Sequence, residues 1–380
     1  VPPRANTVVD PRFPAELRRF RESRGLSLRQ LAAAVNHGKS LIHQLEAGRT
    51  KPSVDVAVRL DGALDANGAL SGLVVDAPEG GERLTYVTTH PRRVDPAAVR
   101  AFAGLLAGYR RLEDAIGSGP VAAPVHAHLD TVTSLLREAP HHMRPHVVDV
   151  AAQWAQFAGW LSIAQGNDRA ATAWHARALQ WASEAGNRDL VATVLSFQGH
   201  QAELSCDLPA MIGLSQAARR DKTVNAALRA YCAGQEARGL ARAGATAQQV
   251  VTCLTEASEV AAQAAEEPLS SWGYWYTPSF FAIQQGIAWR YLGATDSRAN
   301  DRALELLTVG VAGVNEEASG AEWHGRNLVY LALTQAQHGD TTAARETLMS
   351  AEGIAVTTSS RQLAAHVRKA VRRIGLSATP

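Results

Sequence analysis

Apolar residues recur at helical spacing along almost the whole chain, and the interruptions are as informative as the repeats. Leu17 and Phe20, with Arg21 beside them, fall at the spacing of a first short helix that Arg24-Gly25 closes. Ser27 with Gln30 three positions on has the pattern of a capping box, and Leu28, Leu31, Ala32 and Val35 form the apolar stripe of the helix it opens. Asn36-His37-Gly38 predicts a tight turn before a third helix over about residues 39–47, with Ile42 and Leu45 inward. Gly48 ends it, and Ser53 after Pro52 predicts the cap of a fourth helix through Val54, Ala57, Val58 and Leu60.

Two short helices joined by a turn of three or four residues can deliver one helix to a major groove. Arg21, Gly25-Leu26-Ser27, Leu31-Ala32, Ser40, Ile42, Leu45-Glu46, Gly48 and Pro52 resemble the phage-repressor-like helix-turn-helix family, the XRE or Cro/C1 type, over about 60 residues. Gly38 departs from it, since the family usually caps the recognition helix with Ser or Thr, a change that weakens the cap by a few tenths of a kcal/mol. The resemblance implies double-stranded operator DNA as partner. It places Lys39, Ser40, His43 and Gln44 at base edges, where Lys39 suits guanine O6 or N7 and Gln44 pairs bidentately with adenine. Leu28, Arg29, Arg49, Thr50 and Lys51 then fall on phosphates, and Arg21 with Glu46 on a structural ion pair.

Residues 76–95 break the periodicity with Pro, Gly-Gly and mixed charge, and read as a linker with a short ordered piece near 84–87. It separates a helix-turn-helix domain at 1–75 from a body at 96–380. Arg92 and Arg93 in the linker are either further DNA contacts or a solvated pair. Beyond Asp95 the pattern is helical throughout, so the fold expected is all-α: a repressor-like head followed by an α-solenoid. Turns at Gly166-Asn167-Asp168, Cys206-Asp207, Gly244-Ala245-Thr246, Gly293-Ala294-Thr295 and Gly339-Asp340-Thr341 mark recurring helix hairpins. Seven residues before each stands a small residue (Gly159, Gly199, Ala237, Gly286, Ala332) that lets paired helices approach closely. The pattern resembles a tetratricopeptide repeat, degenerate and long, with turn spacings of 40, 38, 49 and 46 residues. Helices over 95–116 and 124–138 form an opening pair, and 359–374 a C-terminal cap.

In that repeat family the first helix of each hairpin lines the concave face. The implied ligand positions are Gln153, Gln156, Trp160 and Ile163, then Thr193, Ser196, His200 and Glu203, then Tyr231 and Arg238. They continue as Phe280, Ile283, Arg290 and Tyr291, then Arg326 and Gln337. Residues 271–281 add Trp272, Tyr274, Trp275 and Tyr276 in a segment holding six of the chain's 22 aromatics. It reads as a loop over the groove, a plug for the core, or a dimer contact.

Charge agrees with the division. Residues 1–75 hold 11 Lys/Arg against 7 Asp/Glu, and the remainder 27 against 29, so only the head invites a polyanion. The 34 Arg against 4 Lys fit the high-GC actinobacteria in which this layout is familiar. Cys206, Cys232 and Cys253 form neither a metal spacing nor a disulfide framework, which suits a reducing cytoplasm, and neither a secretion signal nor a membrane span is read. The histidines His126, His128, His141, His142 and His146 lack the ligand set of a zinc site. No phosphate loop, GxSxG or HExxH is present, so no cofactor, metal, catalytic residue or enzymatic role is expected. The expected function is a homodimeric DNA-binding regulator whose body senses a small molecule or peptide. The alternative is a constitutive regulator whose solenoid is a protein-interaction scaffold.

Overall fold

The computed structural model describes residues 7–10, 12–76, 81–264 and 272–375. Four short helices build the head: α1 (Phe13–Ser23), α2 (Leu28–Ala34), α3 (Lys39–Glu46) and α4 (Val54–Leu64). Local chemistry fixes their ends. Ser27 Oγ accepts from the Gln30 amide at 3.3 Å while Gln30 Oε1 accepts from the Ser27 amide at 2.9 Å, satisfying two donors at the start of α2. Ser53 Oγ accepts from the Val56 amide at 3.2 Å to begin α4, and Gly48, at φ +65°, lets the chain leave α3.

An antiparallel pair, β1 (Thr7–Val9) with β2 (Val74–Asp76), closes the head in the register Val8 opposite Val75. The buried Asp61 carboxylate accepts from the amides of Gly68, Leu70 and Ser71 at 2.6–2.7 Å, anchoring the 3₁₀ turn Ser71–Leu73 that leads into β2. Within the stretch read as linker, a helix α5 (Gly81–Thr89) and a 3₁₀ turn (Pro91–Arg93) are formed, more structure than its composition suggests.

The body is an α-solenoid of helical repeats. It opens with α6 (Pro96–Ile116) and α7 (Ser118–Glu138). The hairpins are α8 (Arg144–Ala164) with α9 (Asp168–Ala185), α10 (Arg188–Leu204) with α11 (Leu208–Arg219), and α12 (Ala226–Arg242) with α13 (Ala247–Ala264). Next come α14 (Pro278–Leu292) with α15 (Ser297–Ala312), α16 (Glu322–His338) with α17 (Thr341–Thr357), and finally α18 (Arg361–Arg373). The recurrent turns are capping sites: Asn167, Asp207 and Asp340 each accept from the amide three residues on. Helix α7 starts six residues before Pro124 and runs through it, where the sequence suggested a start at the proline.

Small residues sit where helices touch. A Cβ on Gly286 of α14 would lie 2.7 Å from Leu307 Cγ of α15, and Ala237 and Ala332 are fully buried. One apolar core runs unbroken from Phe13 in the head to Val194 in α10, and further clusters fill the later hairpins. Head and body therefore share packing: α6 touches both the Ser71–Leu73 turn and β2.

Candidate functional site: a nucleic-acid interface and a cavity in the body

Helix α3 is divided lengthwise. Ile42 and Leu45 are completely buried, whereas Lys39, Ser40, His43 and Gln44 are exposed side by side with the body in place. Arg29 at the start of α2 and Arg49 and Lys51 after α3 are exposed as well, while Leu28 and Thr50 are half-buried. Arg21 Nη2 lies 3.0 Å from Glu46 Oε2, and Arg21 Nη1 donates to the Leu26 carbonyl at 3.0 Å, joining α1, α3 and the start of α2. Arg92 lies 3.9 Å from Glu138 at the end of α7.

The body holds a cavity of about 150 Å³ walled by α6, α8, α10, α12, α14, α16 and the aromatic segment before α14. Its polar groups form two clusters. On α6, Asp114 accepts from the Tyr274 hydroxyl and, at 3.0 Å, from Trp323 Nε1. Burial raises Asp114 to about 6, and burial followed by the charge of Asp114 holds Glu113 well above the usual carboxyl range. Arg110 is 2% exposed, and both of its Nη atoms are buried with no acceptor among the described residues. Its guanidinium carbon lies 5.7 Å from the Phe157 ring centre and 6.0 Å from that of Trp272, and burial lowers its pKa to about 10.

The second cluster centres on Glu203, which accepts from Arg238 Nη2 at 2.8 Å and Arg242 Nη1 at 3.3 Å. Burial alone would raise this carboxyl, but Arg238 and His200 hold it far below the usual range. Arg326 bridges His200 Nε2 at 3.1 Å and Gln362 Oε1 at 2.9 Å.

Of the positions read from the sequence, Gln156, Trp160, His200, Glu203, Tyr231, Arg238, Tyr274, Trp275, Tyr276, Phe280 and Arg326 line this cavity. The others lie elsewhere. Gln153 bonds Asp149, Ser196 bonds the Thr193 carbonyl, and Thr193 accepts from Trp272 Nε1 at 3.3 Å. Ile163 and Ile283 are core residues, Arg290 stacks on Tyr291, and Gln337 donates to the Arg290 carbonyl. Gln153 and Ser196 bond within their own helices, whereas Gln337 reaches the neighbouring α14. The aromatic segment serves both cavity and core: Tyr274 and Trp275 line the wall, and the buried Tyr276 stacks on Phe281 (Ser271 is outside the described residues).

Sequence reasoning missed the α6 residues Arg110, Glu113 and Asp114, along with Phe157, Phe197, Gln284, Ile287, Trp323, Asn327 and Tyr330. A signal for α6 was present, because Arg110 and Glu113 share a helix face with the apolar Phe102 and Leu106. His126 stacks on Trp174, and His128 packs between Tyr109 and Trp154. Among the described residues no group of three or more His, Cys, Asp or Glu could hold a metal ion, and no helix is long and apolar enough to cross a membrane.

The helix-turn-helix domain family matches residues 12–71, so the chain carries a helix-turn-helix DNA-binding domain there. No curated protein matches the chain.

Proposed function

We propose that this protein is a sequence-specific, non-enzymatic transcription regulator with an XRE-type head at residues 1–75, a connector at 76–95 and a tetratricopeptide-like sensing and dimerising body at 96–380. Lys39, Ser40, His43 and Gln44 read base edges, and Arg29, Arg49 and Lys51, with Leu28 and Thr50 beside them, hold the phosphates. The observation that carries the effector reading is the double contact of α6. One face supplies Arg110, Glu113 and Asp114 to the cavity, while the same helix packs against the Ser71–Leu73 turn and β2 of the head. A molecule in the cavity therefore has a short route to the head's orientation, and two heads on a homodimer must match half-sites about 34 Å apart.

The test is salt-titrated binding to a promoter fragment. Lys39→Ala combined with Gln44→Ala should cost about 1–3 kcal/mol per lost base contact on the preferred site and relax its sequence preference. Unchanged affinity and specificity would overturn the assignment of α3 as the reading helix.

A further inference from the structure

Among the described residues three arginines line the cavity, and two of them are engaged by neighbouring side chains. Arg238 is paired with Glu203 and Gln284, and Arg326 is engaged by His200 and Gln362. Arg110 has two buried terminal nitrogens without an acceptor among the described residues, its guanidinium near the rings of Phe157 and Trp272. A desolvated guanidinium in that position costs stability until an oxyanion meets it. The carboxyls nearby leave the role open. Asp114 is committed to Tyr274 and Trp323, and Glu113 is favoured in its neutral form. Around Arg110 the wall is aromatic, with Phe157, Trp160, Tyr274, Trp275 and Trp323. Such a surface suits a flat apolar body.

We propose that the cavity binds a small molecule with one aromatic ring system and a single carboxylate, the carboxylate paired with the guanidinium of Arg110 and the ring held among the surrounding aromatics. The volume of about 150 Å³ sets the scale at one or two rings. A cationic ligand seated at this end of the cavity would bring a second positive charge to Arg110, whose terminal nitrogens have no acceptor among the described residues. This inference rests on the reading of the cavity as an effector site and names the class of effector.

Three isosteric probes test it on the full chain by titration calorimetry: phenylacetate, phenylacetamide and phenethylamine. Phenylacetate should bind roughly 10- to 100-fold more tightly than the amide, with the amine weakest. Arg110→Met should bring phenylacetate down to the level of the amide. The same variant should leave the melting temperature of the free protein unchanged or raised, because it replaces an unpartnered buried cation by an apolar chain of similar length. Equal binding of acid and amide, preference for the amine, or no binding of any probe overturns the proposal, and the wild-type comparison decides even if the variant does not fold. Affinity for a retained DNA fragment is measured in parallel. Phenylacetate binding through Arg110 with no effect on DNA affinity sinks the regulatory reading and leaves the ligand class standing. Intact DNA binding with no discrimination among the probes sinks only the ligand class.

Discussion

Glu46 has a side chain only 4% exposed; Arg21 approaches it with Nε and Nη2, and Arg18 stands 3.5 Å away. Removing the acid leaves Arg21 with only the exposed Glu22 at 3.3 Å and the Leu26 carbonyl, and a charge that has lost its buried partner is worse than an absent pair. Glu46→Ala should therefore destabilise the head by about 2–4 kcal/mol, read by thermal or urea unfolding, and weaken DNA binding only as far as α3 loses its seat. Asp114 sets a pH dependence in the body. Folding raises its pKa from 3.8 to about 6, so its contribution to stability is full below 3.8 and is lost as pH rises through 6. His175, lowered by burial to about 4, acts in the opposite direction: its contribution is full above 6.5 and lost as pH falls through 4. The two partly cancel, and the informative quantity is the difference between variant and wild type. Asp114→Asn should become steadily more stable relative to wild type between pH 4 and 7, because wild type loses the Asp114 contribution over that range and the amide does not titrate, while the Tyr274 hydroxyl can turn to accept from it. A flat difference across that range would show that Asp114 is not the group responsible.

At the scale of elements, close helix contacts replace large side chains as the means of holding hairpins together. Gly286 of α14 faces Leu307 of α15, and a Cβ on Gly310 of α15 would come within 2.6 Å of Ile283 on α14. Gly286→Ala should cost about 1–3 kcal/mol, visible as a lowered melting temperature, because the helices cannot part without disturbing both contacts. Such elements were legible where the physics is local. Ser27, Ser53, Asn167, Asp207 and Asp340 act on amides three residues away, so caps and turns could be read directly from the sequence. The α6 wall was legible only as a helix face carrying Arg110 and Glu113, not as part of a cavity. Asp114 meets Trp323 across 209 residues of chain, and no periodicity within α6 reveals what a helix so distant will bring to it. The fine register of the inward faces was lost for the same reason, with Ser196 and Ile283 turned into helix contacts beside His200 and Phe280, which reach the cavity.

Across the whole molecule the apolar core does not stop at the boundary between head and body. It runs from Phe13 through α6, α7 and α8 to Val194, whereas Leu328 to Ala370 form a separate cluster under α16, α17 and α18. Cooperative units follow such divisions. Hydrogen exchange in increasing denaturant should release the amides of α16–α18 before those of α6–α8, and the head amides of α3 and α4 together with α6–α8. Head amides that open alone would show the shared core to be too weak to couple them. The same continuity bears on how these parts can be recombined. A head grafted onto a foreign body at the end of β2 would leave behind the helix on which its final turn rests. A working chimera has to carry α6 along with the head, and with α6 it inherits Arg110, Glu113 and Asp114, a fragment of the original binding preference that the new host must accommodate.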